Sequence, residues 1–203
     1  MVFPSQQFTA EKTVAAVAAE RCTLLFGVPT MFIAELDALA KKPPMRELHV
    51  RAALTAGSPL PSRLVKRLES EMGIQAVVNA YGMTETSPMT IYTSVSDPGE
   101  RRPGTVGKVG PHIGAKIVDA SGDIVPRGVA GEICTSGYAL QIGYLKDPAK
   151  TEEAMRTDAD GTVWMHTGDE GVVDEDGYFR ITGRTKDLII RGELVSLSPS
   201  YDS

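Results

Sequence analysis

The sequence predicts an α/β fold: a partial parallel-sheet lobe followed by a small β-rich, barrel-like subdomain. In residues 1–96, short apolar runs alternate with helix-like segments, an order typical of a parallel sheet with helices packed against it. From about Asp97 the helical pattern fades and short strands bounded by glycine take over. We therefore predict an α/β subdomain at 1–96, a β-rich subdomain at 97–184, and a hinge remnant with an irregular tail at 185–203.

The first half is predicted to alternate three helices with three strands. The helices are the segments TAEKTVAAVAAE, PTMFIAELDALAKK and PSRLVKRLESEMG. The strands are the apolar runs CTLLFGVP, LHVRAALTAG and IQAVVNAYG. Residues typical of helix ends support these bounds. Thr9 is a candidate N-cap, Pro29 can open the second helix, Pro43 and Pro44 can end it, and Gly73 follows the third.

The second half is predicted to be mostly hairpins. GAKIVDASGDIVPRG and GVVDEDGYFRITG each contain two apolar runs around a turn sequence. Between them, DPAKTEEAMRTDADG predicts a short helix and a loop, and TVWMHTGD follows as a strand. In this interpretation Asp169 lies on a tight turn between two strands.

Composition excludes several classes of protein. The chain has 203 residues, 42% of them hydrophobic, with a net charge of −5 and a pI near 5.3, which disfavours nucleic-acid binding through a basic surface. No window holds the roughly 18 apolar residues of a membrane helix. Cys22 and Cys134 are the only cysteines, so a disulfide framework or a zinc cluster is disfavoured, and Cys134 is expected to be buried and inert. We expect an intracellular protein, cytoplasmic or peroxisomal.

The loop YGMTETSP follows the third predicted strand and carries the first candidate site. Ligands of open parallel sheets bind at the carboxyl ends of strands. Hydroxyl groups and backbone amides there can hold a phosphate, a carboxylate can hold its magnesium ion, and Tyr81 offers a flat face to a base. The alternative is a polar turn whose side chains satisfy only local backbone groups.

Three other segments are ambiguous when each is taken alone. In AGSPLP, Gly57 would let the backbone approach a ligand, although an ordinary strand-to-helix turn explains it equally well. In HTGDEG, Asp169 could accept from both hydroxyls of a ribose or could simply cap its turn. In GRTKDLIIRG, the charged residues Arg184, Lys186 and Asp187 are more typical of a solvated strand edge than of a site.

Taken in order, these segments resemble the adenylate-forming superfamily, which includes acyl-CoA synthetases and luciferases. YGMTETSP is similar to its aromatic-Gly-x-Thr-Glu motif, and AGSPLP resembles its adenine-binding loop. GEICTSGYALQIGYLKDPAKTEEAM resembles the segment that leads to a ribose-binding aspartate, and GRTKDLIIRG resembles the hinge between the two domains of the family. The resemblance runs from about Phe26 to Gly192, and its details favour acyl-CoA synthetases.

The resemblance implies a role for each candidate residue. Glu85 would hold Mg²⁺ and, with the phosphate donor Thr84, would be catalytic. Asp169 would bind the ribose hydroxyls, with Arg184 beside it. Tyr81 would lie against the adenine, and the walls around it would be formed by Gly57, Ser58, Pro59 and Gly82. Met83 would lie near the carboxylate to be activated.

The implied reaction joins a carboxylic acid to ATP, giving an acyl-adenylate and pyrophosphate, and then transfers the acyl group to coenzyme A. ATP, Mg²⁺ and CoA are therefore the expected cofactor and co-substrates. The chain has no SGTTGxPK-like phosphate loop, and its hinge reads RGELVSLSPSYDS, which departs from the family pattern. We therefore expect a piece of such an enzyme, with little turnover alone. The alternative is an inactive remnant that at most binds nucleotide; a dehydrogenase is disfavoured because no GxGxxG opens the α/β half.

Overall fold

The computed structural model describes residues 1–41, 48–58 and 60–184, together with two short strands, β11 (Ile190–Arg191) and β12 (Leu194–Val195), which pair antiparallel. The chain folds into two compact units. Unit 1 comprises Met1–Gly82 and Ile91–Lys108, and unit 2 comprises Met83–Thr90 and Val109–Ser203. The predicted ends of the second helix, Pro43 and Pro44, lie outside the described residues, as does most of the predicted hinge and tail.

Unit 1 contains the α/β part of the fold. Its described helices are α1 (Ala10–Ala19), α2 (Pro29–Ala40) and α3 (Ser62–Met72). Its sheet has the order β1 (Leu24–Gly27), β2 (Ala52–Ala56), β3 (Ala76–Tyr81), β4 (Ile91–Tyr92) and β5 (Lys108–Val109). β1, β2 and β3 are parallel, and β4 runs antiparallel to β3. The predicted strand–helix alternation and parallel sheet are confirmed.

The helices of unit 1 form because their apolar residues share a face and their ends carry suitable residues. α3 buries Leu64, Leu68 and Met72 at helical spacing against the core and ends at Gly73, whose φ of 70° is the left-handed conformation that glycine adopts readily. α2 begins at Pro29, as predicted. Thr9 does precede α1, but its hydroxyl makes no capping hydrogen bond. The core joins α1, α2 and α3 to the strands through Val17, Leu25, Phe32, Leu36, Val50, Ala53, Leu60, Leu64, Val65, Leu68, Met72, Ile74 and Val77.

Unit 2 contains the β-rich part. Its sheet has the order β10 (Phe179–Arg184), β9 (Val163–Val173), β7 (Gly131–Gly137) and β6 (Ile113–Val118), and β8 (Met155–Thr157) pairs with the first part of β9. All of these pairs are antiparallel. The short helix α4 (Pro148–Ala154) lies where the sequence predicts it, and the predicted hairpin around DEDG is β9–β10.

The other predicted hairpin forms only in part. The turn is present, since the Asp119 carboxylate accepts from the backbone N–H groups of Ser121 and Asp123. The second arm, however, makes a single β-bridge, from Ile124 to Val118, and β6 forms its ladder with β7 instead. The Val125 N–H also donates to the Ile117 carbonyl at 3.0 Å, immediately before Pro126. Separately, no described helix is long and apolar enough to cross a membrane.

Candidate functional site

The predicted phosphate loop is a single turn of 3₁₀ helix, Thr84–Thr86. Thr86 is buried and closes this turn: its hydroxyl accepts from the Met83 N–H at 3.1 Å and donates to the Met83 carbonyl at 3.0 Å. Thr84, by contrast, is exposed. The two threonines of the motif therefore differ in kind, because Thr86 shapes the loop while Thr84 presents its hydroxyl to solvent.

The carboxylate of Glu85 is half-buried and held by residues far away in the sequence. The Tyr144 hydroxyl donates to Glu85 Oε1 at 2.9 Å, across 59 residues of sequence. The backbone N–H of Gln141 also donates to the Glu85 carbonyl, at 2.8 Å. Both the side chain and the main chain of Glu85 are thus fixed by the segment that precedes α4.

In unit 1, two of the predicted binding loops leave the sheet at the same edge. β2 and β3 are parallel neighbours with Ala56 paired to Ala80, so Gly57, which follows β2, and Tyr81, which ends β3, lie at adjacent strand ends. Gly57 has a φ of 83°, a conformation that a side chain would strain, and Gly57 and Ser58 are exposed. Tyr81 and Gly82 are half-buried. Pro59, the remaining predicted wall residue of this loop, lies outside the described residues.

The end of β3 is anchored by Asn79. Its side-chain N–H group donates to the Thr105 carbonyl at 2.8 Å, and its backbone N–H donates to the Thr93 hydroxyl at 2.8 Å. The Thr93 N–H returns a bond to the Asn79 carbonyl at 2.8 Å. These buried bonds fix the strand from which Tyr81 emerges.

Asp169 lies inside strand β9, which corrects the prediction of a tight turn between two strands. β9 carries extra residues between His166 and Glu170 relative to β7, where Cys134 and Glu132 are their partners. Gly168 sits in this bulge with a φ of 73°. A glycine next to Asp169 is typical of turns and bulges alike, so sequence alone could not distinguish them. The bulge reorients Asp169, a frequent use of such features.

A network of hydrogen bonds beneath the bulge holds it in place. The Thr167 hydroxyl donates to the Ile133 carbonyl at 2.7 Å and accepts from the Asp169 N–H at 3.1 Å. Glu132 accepts from the Gly168 N–H at 2.9 Å through Oε1, while its Oε2 lies 2.8 Å from His166 Nδ1. Glu132 therefore ties both ends of the segment His166–Gly168 to β7.

Cys134 completes this cluster without adding an evident reactivity. Its Sγ lies 3.5 Å from His166 Nδ1. The side-chain atoms of Cys134, His166 and Glu132 that could ligate a metal all lie within 4.8 Å of one another. Hydrogen bonding accounts for this convergence. Burial raises the pKa of the Cys134 thiol to about 12, and the Glu132 carboxylate adds to the rise. The cysteine is fully buried, as predicted, and stays a protonated thiol at neutral pH.

Arg184 ends β10 directly opposite Asp169. The two residues are cross-strand partners, and Arg184 Nε donates to Asp169 Oδ1 at 2.8 Å. The Asp169 side chain is 9% exposed, whereas that of Arg184 is 67% exposed. The structure therefore brings together the aspartate and arginine that the sequence motifs place 15 residues apart.

Several residues that shape these loops could not be identified from the sequence. Tyr144 and Gln141 hold Glu85, and Glu132 holds the bulge before Asp169. Each acts on a residue far away in sequence, so no local spacing could have revealed it. The predicted residues divide between the units: Gly57, Ser58, Tyr81 and Gly82 lie in unit 1, while Met83, Thr84, Glu85, Asp169 and Arg184 lie in unit 2.

The model of the family described as AMP-binding enzyme matches residues 1–145 of this chain. The chain belongs to the AMP-binding enzyme family. The match includes both the Gly57 loop and the Glu85 loop, which agrees with the resemblance noted in the sequence.

The curated relatives of this chain are longer proteins. The chain is 48% identical over 192 residues to the acyl-CoA ligase sidI of Aspergillus fumigatus, covering 95% of this chain and 32% of that protein. It thus spans about a third of the length of the relative.

Solved structures of coenzyme A ligases are similar to this chain in fold. The O-succinylbenzoate coenzyme A synthetase MenE of Bacillus subtilis, in complex with ATP and a magnesium ion, matches with a TM-score of 0.77 and 26% identity, covering 94% of this chain and 38% of that chain. A long-chain-fatty-acid-CoA ligase of Archaeoglobus fulgidus, FadD1, matches with a TM-score of 0.80 over 87% of this chain and 37% of that one. At 22% identity, this second likeness concerns the fold alone.

Proposed function

We propose that this AMP-binding enzyme serves acid–CoA ligation: a carboxylic acid reacts with ATP to give an acyl-adenylate and pyrophosphate, and CoA then displaces AMP to give a thioester. The observation that carries the proposal is the loop Thr84–Thr86, which places a fixed carboxylate, Glu85, beside an exposed hydroxyl, Thr84. Family membership and the names of the relatives, which are acyl-CoA ligases and a coenzyme A synthetase, support it.

The first step joins two anions, so the protein must reduce their repulsion and hold them in line. In this proposal the Thr84 hydroxyl and nearby backbone N–H groups donate to the phosphates. The Glu85 carboxylate fits a magnesium ion, because hard oxygen ligands are those that Mg²⁺ prefers, and its orientation is already fixed by Tyr144. When bound, Mg²⁺ would supply positive charge to the phosphate groups.

Each residue that we propose for nucleoside binding has chemistry suited to its part. Tyr81 presents an aromatic face to the adenine, and the backbone at Gly57 and Gly82 permits close approach. Asp169 offers a carboxylate, only 9% exposed at its side chain, that can accept from ribose hydroxyls, with Arg184 fixing its orientation. Met83, which begins the phosphate loop, would lie near the carboxylate that is activated.

Pyrophosphate exchange tests this proposal on the chain itself. Labelled pyrophosphate is incubated with ATP, Mg²⁺, the purified chain and a panel of aliphatic and aryl carboxylic acids, and its incorporation into ATP is measured. Exchange that requires one of the acids and is lost in Glu85→Ala supports adenylation, and subsequent thioester formation on adding CoA supports the second step.

Binding measurements separate the alternative outcomes. Nucleotide binding without pyrophosphate exchange would favour the alternative, in which this chain binds nucleotide but catalyses no reaction. Absence of both nucleotide binding and exchange, with a folded circular dichroism spectrum, would contradict the proposal.

A further inference from the structure

The Glu85 carboxylate is held by Tyr144, which is itself fixed by other residues. The proposed function does not require this contact. The Tyr144 hydroxyl donates to Glu85 Oε1 at 2.9 Å, and both side chains are half-buried. The Gln141 N–H donates to the Glu85 carbonyl at 2.8 Å. The loop is therefore held by two hydrogen bonds, from Gln141 and Tyr144, which are three positions apart. A carboxylate that bound a cation merely from a flexible loop would need neither contact.

Tyr144 is in turn fixed by the start of helix α4. Its backbone N–H donates to the Thr151 hydroxyl at 2.9 Å, and the Lys150 ammonium lies 4.5 Å from the centre of its ring. The side chain of Asp147, the N-cap of α4, accepts from the Lys150 N–H at 3.0 Å. The N-terminal end of α4 therefore orients the Tyr144 side chain, and the Tyr144 hydroxyl orients the Glu85 carboxylate.

The chemistry of a phenol suits a carboxylate that must also bind a cation. A neutral O–H donor occupies one lone pair of Oε1 and leaves Oε2 and the full negative charge available, whereas a lysine or arginine partner would offset that charge. A tyrosine hydroxyl is uncharged at neutral pH and therefore remains a donor. Fixing the rotamer in advance also reduces the entropy lost when the cation binds.

We propose that Tyr144 is a positioning residue for Glu85, holding its carboxylate in the orientation that binds the divalent cation of a metal–nucleotide complex. This inference rests on the proposed function, because it concerns the same carboxylate. Tyr144 touches neither nucleotide nor cation in this account and acts only through Glu85.

The test compares Tyr144→Phe with Tyr138→Phe, a control that removes the hydroxyl of a tyrosine that is 80% exposed. Each variant of the full chain is titrated calorimetrically with Mg-ATP and, separately, with AMP in the presence of a chelator. Because a hydrogen bond to a charged group is lost, Tyr144→Phe is expected to weaken Mg-ATP binding about 10-fold while leaving metal-free AMP binding unchanged. Tyr138→Phe should change neither.

A double-mutant cycle with Glu85→Gln isolates the pair. In the Glu85→Gln background, Tyr144→Phe should weaken Mg-ATP binding by less than about 2-fold, because the charged acceptor is already gone. An effect of equal size in both backgrounds, or an equal loss of metal-free AMP binding, would show that Tyr144 acts structurally and would overturn the inference.

Two further outcomes distinguish this inference from the proposed function. Mg-ATP binding that depends on Glu85 but is the same in Tyr144→Phe and wild type overturns the role of Tyr144 and leaves the proposed function intact. Absence of saturable Mg-ATP binding in the wild-type chain overturns both.

Discussion

Arg184 Nε donates to Asp169 Oδ1 at 2.8 Å, from the strand position directly opposite it. Since the arginine side chain is 67% exposed, water screens the pair and its contribution to folding stability is small, about 1 kcal/mol or less. The bond orients the aspartate more than it stabilises the fold. Together with the bulge at Gly168, it fixes a buried carboxylate on β9, the strand between β10 and β7.

Asp169→Asn is expected to weaken AMP binding about 10-fold, because a charged acceptor of ribose hydroxyls becomes a neutral amide. Calorimetric titration with AMP and with 2′-deoxy-AMP checks this: wild type should prefer AMP, and the variant should bind the two nucleotides alike. Glu175→Gln, which removes an exposed carboxylate from the β9–β10 turn, is the control. Retained preference for AMP in Asp169→Asn would contradict the ribose role.

Glu35 should make the stability of the chain depend on pH. It lies in α2 with no exposed surface, and neither of its carboxylate oxygens has a hydrogen-bond partner in the described part of the chain. Burial raises its pKa from 4.5 to about 7. Between these values the folded state binds more protons than the unfolded state, so the free energy of unfolding falls as the pH rises through this range and stays lower above it.

Glu35→Gln should remove that dependence, because the neutral amide does not titrate. Relative to the variant, wild type should lose roughly 3 kcal/mol of stability between pH 4.5 and pH 7.5. Urea denaturation at several pH values measures the difference, with the exposed Glu69→Gln as control. Parallel pH profiles for wild type and Glu35→Gln would show that Glu35 does not titrate with a raised pKa.

Cys134 should react slowly with thiol reagents in the folded chain, because it is buried and its thiol has a pKa of about 12. Cys22 is half-buried and should react faster. Native titration with a chromogenic disulfide is expected to show a single fast thiol, which is absent in Cys22→Ser. The Cys134 thiol that remains in this variant should react rapidly only after unfolding. A fast native thiol in Cys22→Ser would contradict the placement of Cys134.

Gly107 should tolerate no side chain. With a φ of 91°, a Cβ built there would lie 2.0 Å from the Tyr92 carbonyl carbon. Gly104 has a similar φ of 83° but nothing within 4 Å, so alanine at either site shares the backbone strain and only Gly107→Ala adds a collision. Chemical denaturation should show Gly107→Ala less stable than Gly104→Ala by about 2 kcal/mol or more. Equal losses would mean that the two backbones do not approach this closely.

Local chemistry predicts the α/β half well. Proline at the start of α2, glycine at the end of α3 and the apolar runs of β1, β2 and β3 each specify their own element, and the structure contains all of them. Two parallel neighbouring strands also place Gly57 and Tyr81 at one edge, as strand order alone requires. These features follow from nearby residues, and for that reason the sequence reveals them.

Contacts between residues that are far apart in the chain could not be predicted from the sequence. The turn at Asp119 suggests a hairpin, yet its second arm makes a single β-bridge to β6, and β6 forms its ladder with β7. Asp169 lies in a bulge that depends on Glu132, and Glu85 depends on Tyr144, 59 residues away. In each case the deciding partner is brought close only by tertiary structure.

The central claim is that the Glu85 loop binds a metal–nucleotide complex. Calorimetric titration of the purified chain with Mg-ATP and with AMP, for wild type, Glu85→Ala and the surface control Glu69→Ala, tests it most directly. We expect saturable Mg-ATP binding in wild type and in Glu69→Ala, and binding at least about 10-fold weaker in Glu85→Ala, with AMP binding affected much less. Equal Mg-ATP affinity for all three folded chains, or no binding by wild type, would contradict it.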